Sequence, residues 1–336
     1  MKHYALLLAG GGGKRLWPFS REHTPKQFVT LPTGKTLLET TLDRIRSIPD
    51  LEKIIVTTNQ YSELTRTTAQ AYNAHCFIEP ESRNTAPAIA WSLRELRKIN
   101  EDAVIVIMPT DHIIARTDEF NQALSRAIAY AEGNDKVLLF GSPQNYITTR
   151  FGFIAYAQEK STPLDEYFSL YPISKFHEKP SHAEATHYKE HINIVWNMGI
   201  FVGRLSVLWA LFEAYAPHIV NNLDNYNNII PQAFDHAILE RAHHHLMVLP
   251  YDFGWNDIGS LDEFIPALHH DKKKYIELAE AHNNSVAATK SVILAGVSDL
   301  VVIEMDDMIL ITRRDIAQSP ELITHHMRHH GWEKLL

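Results

Sequence analysis

The sequence predicts an α/β fold: a mostly parallel sheet with helices on both faces, followed by a small β-rich C-terminal segment. Three observations carry that expectation. Unbroken apolar runs at residues 4–9, 103–108 and 137–140 read as strands buried on both faces. Stretches with apolar residues at helical spacing separate them. From Asn283 to Arg314 the pattern shortens to Val292–Ala295, Leu300–Glu304 and Met308–Thr312, with turn residues at short intervals. A chain of 336 residues exceeds what one core usually organises, so two domains are expected, residues 1–270 and 271–336.

Composition narrows the function classes. The chain is 45% hydrophobic and 21% charged with a net charge of −8, which speaks against nucleic acid as the main partner. The single cysteine, Cys76, forbids an internal disulfide and fits a reducing compartment. The N-terminal apolar run is too short for a signal-peptide core, and no segment approaches the ~20 apolar residues of a membrane helix. A cytoplasmic protein without a membrane partner is expected.

The first strand, Tyr4 to Ala9, ends in Gly10-Gly11-Gly12-Gly13, where missing Cβ atoms let backbone N–H groups approach an anion. Lys14, Arg15, Arg21 and Lys26 follow, opposed only by Glu22. A cationic, glycine-lined loop at the carboxyl end of a first strand suits a nucleoside triphosphate. A P-loop would need glycine at Leu8 and Ser or Thr at Arg15, and a dinucleotide fingerprint would need glycine at Arg15, so both fail. Glycines followed by Arg15, Pro18 and the pair Pro25-Lys26 instead match the signature of sugar-1-phosphate nucleotidyltransferases.

The remaining elements follow in order. Residues 36–48 show helical spacing, and 53–58 form a strand. Asn59 is placed to cap a helix running to about Ala74. Cys76–Ile78 is a short strand entering the loop Glu79 to Thr85, and Pro87 fits the first turn of the next helix. The strand at 103–108 stops at Pro109-Thr110-Asp111-His112, so Asp111 stands at the carboxyl edge, as a Mg²⁺ ligand or as a turn cap. After a helix at 118–131 and a strand at 136–140 the pattern changes from Gln144 to a mixed, partly antiparallel region with strands at 150–156 and 173–180. Ser181 to Glu184 is a capping box. Asn197 interrupts the apolar strand 194–202, and its amide needs either sugar hydroxyls or backbone partners. Helices are expected at 205–215 and 228–241, then an aromatic loop, 251–260, carrying a second carboxylate, Asp257. The histidine clusters 243–245, 325–326 and 329–330 lack zinc-type spacing and read as surface groups.

Taken jointly, these motifs resemble the mannose-1-phosphate guanylyltransferases over nearly the whole chain. The matching stretches are Leu8 to Phe28, Glu79-Pro80 with Arg83 to Ala90, Met108 to His112, Phe176 to Pro180, Trp196 to Phe201 and Phe253 to Ser260. The tail, Gly296 to Val302 through Asp307, is similar to that family's β-helical end. The resemblance implies a Rossmann-like nucleotidyltransferase fold with a β-helix-like C-terminal segment. It implies GMP transfer from GTP to α-D-mannose 1-phosphate with Mg²⁺, giving GDP-mannose and pyrophosphate. It leaves a homodimer open. Isomerase activity is not implied.

By the same resemblance, Arg15 and Lys26 bind the triphosphate, Asp111 and Asp257 hold Mg²⁺, and Lys179 contacts the sugar phosphate. Leu8, Ala9, Gly10, Gly11, Gly12, Gly13, Pro80, Glu81, Asn84 and Thr85 form the nucleotide pocket, and Gly152, Glu178 and Asn197 the hexose pocket. The chain departs from the family at Gly13-Lys14, at His177 and at Arg150, the last of which bears on sugar preference. A sugar phosphate is already anionic, so its attack on the α-phosphorus needs no general base. Positioning and charge neutralisation must supply the catalysis. The alternatives are a nucleotidyltransferase for a different sugar 1-phosphate and a regulatory subunit without turnover, which would be free to lose Arg15, Lys26, Asp111 and Asp257.

Overall fold

The computed structural model describes residues 1–143, 148–191, 193–268 and 275–336, without the side chains of Lys14 and of residues 189–191. The expected domain boundary at 270/271 and the expected change of pattern at Gln144 lie outside the described residues. In chain order the strands are β1 (Lys2–Leu8), β2 (Leu51–Thr58), β3 (His75–Glu79), β4 (Ala103–Pro109), β5 (Ile113–Ile114), β6 (Val137–Ser142), β7 (Phe153–Tyr156), β8 (Thr162–Pro163), β9 (Ser169–His177), β10 (Ile194–Arg204), β11 (Leu246–Pro250), β12 (Trp255–Asn256), β13 (Tyr275–Leu278), β14 (Ser285–Ala287), β15 (Val292–Ala295), β16 (Leu300–Glu304) and β17 (Ile309–Arg313). The helices that matter below are α1 (Leu37–Arg44), α2 (Ser62–Ala71), α3 (Thr85–Ile99), α4 (Thr117–Glu132), α5 (His182–His191) and α6 (Leu205–Tyr215). No helix among the described residues is long and apolar enough to cross a membrane.

Contacts divide the chain into two compact units that do not follow chain order. Unit 1 comprises Met1–Gly10, Leu42–Thr110 and Ile114–Trp255, and unit 2 comprises Gly11–Thr41, Asp111–Ile113 and Asn256–Leu336.

Unit 1 is built on a ten-stranded sheet of order β3-β2-β1-β4-β10-β6-β11-β9-β7, with β8 paired to β9. Strands β3, β2, β1 and β4 are mutually parallel, as are β6 and β11. Strand β10 runs antiparallel to β4, β6 and β7, and β9 antiparallel to β11 and β7. The sheet is therefore mixed, which corrects the expectation of a mostly parallel one. The reason is physical: a strand apolar on both faces, like β10, packs equally well in either direction, and the connections decide which it takes.

Helices cover both faces of this sheet. Leu6, Ile107 and Leu139 share one core with Ile89 and Leu93 of α3 and Leu208 and Phe212 of α6. Phe140, adjacent to Leu139 and so on the opposite face, meets Phe120 of α4 at 5.6 Å between ring centroids. Each such side chain, fully buried, is worth roughly 1.5–3 kcal/mol of transfer free energy.

Unit 2 joins the glycine-loop segment to the C-terminal residues. Trp17 is buried with Leu261, Ile265, Val301, Ile303 and Leu310, and Leu16 with Val29, Leu37, Ile258 and Phe264. Arg21 forks onto both oxygens of Asp307 at 2.6 Å. Strand β13 pairs parallel with β15 and β14 with β16, while β17 closes antiparallel on β16.

Two expected elements differ. Asn59 does not cap a helix; it starts a one-turn 3₁₀ segment, Asn59–Tyr61, before α2. The helix expected at 228–241 reduces to a π-helical turn, Asp235–Leu239. Pro231 has no N–H, and the N–H groups of Gln232 and Phe234 go instead to the Arg83 carbonyl and Thr85 Oγ1 at 3.2 and 2.8 Å. That stretch is thereby tied to the loop before α3 rather than to its own helix. The capping box is present as expected, with Ser181 N–H donating to Glu184 Oε2 at 2.8 Å.

Candidate active site

Unit 2 brings together Lys26, Asp111 and Asp257. Lys26 belongs to a 3₁₀ turn, Lys26–Phe28, whose residues are all buried. Its ammonium lies 2.8 Å from Asp111 Oδ2 and donates to the backbone carbonyl of Asp257 at 2.5 Å. A nearly buried cation is costly unless paired, and Asp111 supplies the pairing. Gly13, at φ +52°, is packed so closely on this lysine that a Cβ would stand 2.4 Å from Lys26 Cβ. Only glycine lets the loop lie against the Lys26 stem. The Gly13 carbonyl accepts from Ser20 Oγ at 2.7 Å and the Gly11 carbonyl from Gln27 Nε2 at 3.1 Å, which fixes the loop's path. Gly12 is half-buried, and Arg15 is exposed on the turn Lys14–Leu16, anchored by the fully buried Leu16.

Asp111 is held as a carboxylate. Burial opposes its ionisation, but the Lys26 ammonium, the His112 ring and hydrogen bonding from Lys26 outweigh that and keep its carboxyl below the usual range. About a third of the side chain, 32%, stays open, enough for a further ligand to reach it. Among the described residues no group of three or more His, Cys, Asp and Glu side chains gathers as a metal site. The Asp111 carboxylate is a fitting donor for Mg²⁺, which takes one or two carboxylates and completes its shell with phosphate oxygens and water. The Lys26 ammonium seated against Asp111 shows that this carboxylate accepts a cation.

Unit 1 holds the other candidates. Leu8 ends β1, and its carbonyl accepts from Thr110 Oγ1 at 2.9 Å; the Ala9 N–H donates to the Val56 carbonyl at 2.8 Å. Pro80, Glu81 and Asn84 are exposed in the loop before α3. Asn84, at φ +69°, caps α3 by accepting from the Thr85 N–H at 2.8 Å, and Glu81 pairs with Arg83 at 2.6 Å.

The expected hexose residues also converge. A Cβ on Gly152 would stand 2.5 Å from Glu178 Oε2, so the two touch, and the Gly152 carbonyl accepts from the Asn197 N–H at 2.8 Å. The register of β10 against β6 shifts between Asn197 and Phe201, where Gly199 takes φ +69°. This bulge re-aims Asn197. Lys179, itself at φ +48°, places its ammonium 3.3 Å from Glu178 Oε1 while most of its side chain stays exposed.

Two carboxyls of note escape a reading of the sequence. Glu79, at the end of β3, is 3% exposed and accepts from Tyr226 Oη at 2.7 Å, and a Cβ on Gly10 would come within 2.7 Å of its Oε1. Burial pushes its carboxyl up to about 7 against the lowering effect of the Tyr226 hydrogen bond. Asp235 opens the π-helical turn and accepts from Asn197 Nδ2 at 2.8 Å. Burial, then the neighbouring Glu178, push it up to about 6. The signals are weak: Glu79 opens a loop and nothing in its neighbours marks it as buried, and Asp235 stands in a stretch that reads as an ordinary helix.

The nucleotidyl transferase family matches residues 4–274 of the chain. Mannose-1-phosphate guanylyltransferase 2 of Escherichia coli O157:H7 is 30% identical over 350 aligned residues, covering 95% of this chain and 72% of that protein. Mannose-1-phosphate guanylyltransferase of Escherichia coli K12 is 28% identical, covering 98% of this chain and 74% of that protein. Among solved structures, one described as mannose-1-phosphate geranyltransferase of Thermus thermophilus superposes with a TM-score of 0.81 at 28% identity, over 98% of this chain and all of the other. The glycine loop, the carboxylate-paired Lys26 and the match over most of the chain agree: this protein belongs to the nucleotidyl transferase family, and within it is similar to the mannose-1-phosphate guanylyltransferases.

Proposed function

We propose that the protein transfers GMP from GTP to α-D-mannose 1-phosphate, giving GDP-mannose and pyrophosphate. One observation carries the chemistry: a buried lysine beneath the glycine loop touches both Asp111 and the backbone of Asp257. Two polyanions must meet in this reaction, and such a cluster supplies a cation for the phosphates and, in Asp111, a carboxylate that can hold a divalent metal between them. The choice of GTP and mannose 1-phosphate rests on the relatives, which bear that activity in their names over 95% or more of this chain.

In this reading Arg15 and Lys26 bind the triphosphate and stabilise the departing pyrophosphate. Lys179 orients the sugar phosphate for in-line attack, and Gly152, Glu178 and Asn197 hold the hexose. Leu8 to Gly13 with Pro80, Glu81, Asn84 and Thr85 line the nucleotide pocket. Asp111 and Asp257 would hold Mg²⁺, which when bound neutralises charge on the phosphates. The nucleophile arrives ionised, so these residues position and neutralise rather than take a proton.

The parallel strands β3-β2-β1-β4 serve as the Rossmann-like nucleotide-binding half, and the parallel pairs of residues 275–304 as a short β-helix. The functional division we propose is a catalytic domain, 1–270, and a C-terminal domain, 271–336; the family match over 4–274 supports it. A cytoplasmic enzyme, with a homodimer left open and no nucleic-acid or membrane partner, completes the reading.

The test is a matrix of the four nucleoside triphosphates against mannose, glucose, galactose and N-acetylglucosamine 1-phosphates, read as kcat/KM. GTP with mannose 1-phosphate should exceed every other pair at least tenfold. A different preferred pair would reassign the substrate, and binding without turnover of any pair would make the chain a regulatory subunit.

A further inference from the structure

The amide of Asn197 is committed at both ends. Its Oδ1 accepts from the Gly199 N–H at 3.0 Å, and its Nδ2 donates to Asp235 Oδ1 at 2.8 Å. With both partners in place the amide cannot turn over, and its second N–H has a fixed direction. Gly199 is already spent on the bulge that β10 makes here, so the side-chain end of this arrangement depends on Asp235.

Asp235 is itself rigidly supplied. The N–H of the preceding residue, Phe234, is bound by Thr85 Oγ1 at 2.8 Å, and the Ala86 N–H reaches back to the Gln232 carbonyl at 3.0 Å. A π-helical turn begins at Asp235, and such turns recur at functional sites. Asp235 retains partial exposure, unlike a core carboxyl, and Glu178 bears on it closely enough to disfavour its ionisation. A hexose ring presents hydroxyls that each donate one hydrogen bond. Two adjacent acceptors and one directed N–H donor match such a ring, and they distinguish epimers because a hydroxyl turned the other way leaves an acceptor unpaired.

We propose that Asp235 is a specificity-determining and positioning residue of the hexose pocket: it fixes the Asn197 amide and, with Glu178, forms the acceptor pair that reads the configuration of the sugar hydroxyls. This rests on the guanylyltransferase reading above. The Lys179 ammonium, 3.3 Å from Glu178 Oε1, offsets negative charge beside the sugar phosphate.

The experiment compares wild type, Asp235→Ala and Asp235→Asn in pyrophosphate release at pH 8, where the sugar phosphate is fully ionised, with mannose 1-phosphate and its 2-epimer glucose 1-phosphate. Asp235→Ala should raise KM for mannose 1-phosphate at least tenfold, shrink the mannose-to-glucose kcat/KM ratio, and leave KM for GTP within about twofold; hydrogen bonds to charged groups justify this scale. Asp235→Asn keeps an acceptor for Asn197, so it should recover most of the mannose 1-phosphate KM and of the epimer ratio that Asp235→Ala loses. An unchanged epimer ratio in Asp235→Ala, or KM values rising equally for both substrates, would overturn the assignment while leaving the proposed reaction intact. A wild-type protein that turns over no sugar phosphate would overturn both. If Asp235→Ala does not fold, Asp235→Ser, which also withdraws the carboxylate from Asn197, takes its place with the same expected and overturning outcomes.

Discussion

Replacing Glu79 with glutamine should stabilise the protein in alkaline buffer and do little in acid. The carboxyl is 3% exposed at the end of β3, where Tyr226 Oη donates to it and Gly10 leaves room for it. Its folded value is raised from 4.5 to about 7. Below pH 4.5 native and unfolded chains both carry the proton, so the group costs nothing. Between 4.5 and 7 the unfolded chain releases it while the native one holds it, and stability falls by about 1.4 kcal/mol per pH unit. Above 7 the loss saturates near 3 kcal/mol, the order of magnitude of the full shift. Glutamine keeps an oxygen for Tyr226 and carries no charge, so Glu79→Gln removes this penalty. Urea unfolding of both proteins at pH 5 and pH 8 measures it: the advantage of Glu79→Gln should grow by about 2–3 kcal/mol between the two. An advantage that is constant with pH, or that shrinks toward pH 8, would show that Glu79 ionises normally in the fold.

Other perturbations reach the rest of the structure. Asp111→Ala and Arg15→Ala should each lower turnover by on the order of 10²-fold or more while circular dichroism stays native; wild-type turnover in either would remove that residue from the site. Gly13→Ala combines a left-handed backbone with a Cβ 2.4 Å from Lys26 Cβ, so it should displace the lysine and cost about 1–3 kcal/mol of stability, measured by thermal melting, together with most activity. Gly152→Ala would set a Cβ 2.5 Å from Glu178 Oε2 and 3.1 Å from the buried Phe176 ring, so it should raise KM for the sugar phosphate and lower the melting temperature. Ile303→Ala empties a fully buried position in unit 2 and should cost about 2–5 kcal/mol in the same melting assay.

Much of this molecule is legible in its sequence, for reasons that differ by element. Strands β1 and β4 announce themselves because their two-sided burial demands unbroken apolar runs. The Ser181–Glu184 box is visible because capping is local chemistry, three residues apart. The direction of β10 is invisible, since nothing in its residues depends on which way its neighbours run. The stretch 229–234 misleads because its backbone partners, Arg83 and Thr85, lie about 150 residues away in the chain. Likewise no periodicity could have joined Gly11–Thr41 to the C-terminal residues in one compact unit, a pairing made by Trp17 packing on Val301 and Ile303.

The candidate site shows the same contrast. Lys26, Asp111 and Asp257 stand out as charged residues in a glycine loop, at a strand end and in an aromatic loop, and the fold brings the Asp111 carboxylate and the Asp257 carbonyl to the Lys26 ammonium. Gly152 and Glu178 come from resemblance alone, Asn197 also from the break it makes in an apolar strand, and Gly152 touches both of the others. Glu79 and Asp235 escape because burial, not residue type, is what makes a carboxyl unusual.

The most direct measurement is pyrophosphate released from GTP by the purified protein, with mannose 1-phosphate and Mg²⁺ each present or withheld. Release should require the sugar phosphate, match GDP-mannose mole for mole, and collapse when the metal is chelated or when Lys26 is replaced by alanine. Release that proceeds without the sugar phosphate, or that ignores both chelation and the loss of Lys26, would contradict a reaction built on bringing two phosphates together around that lysine and its aspartates.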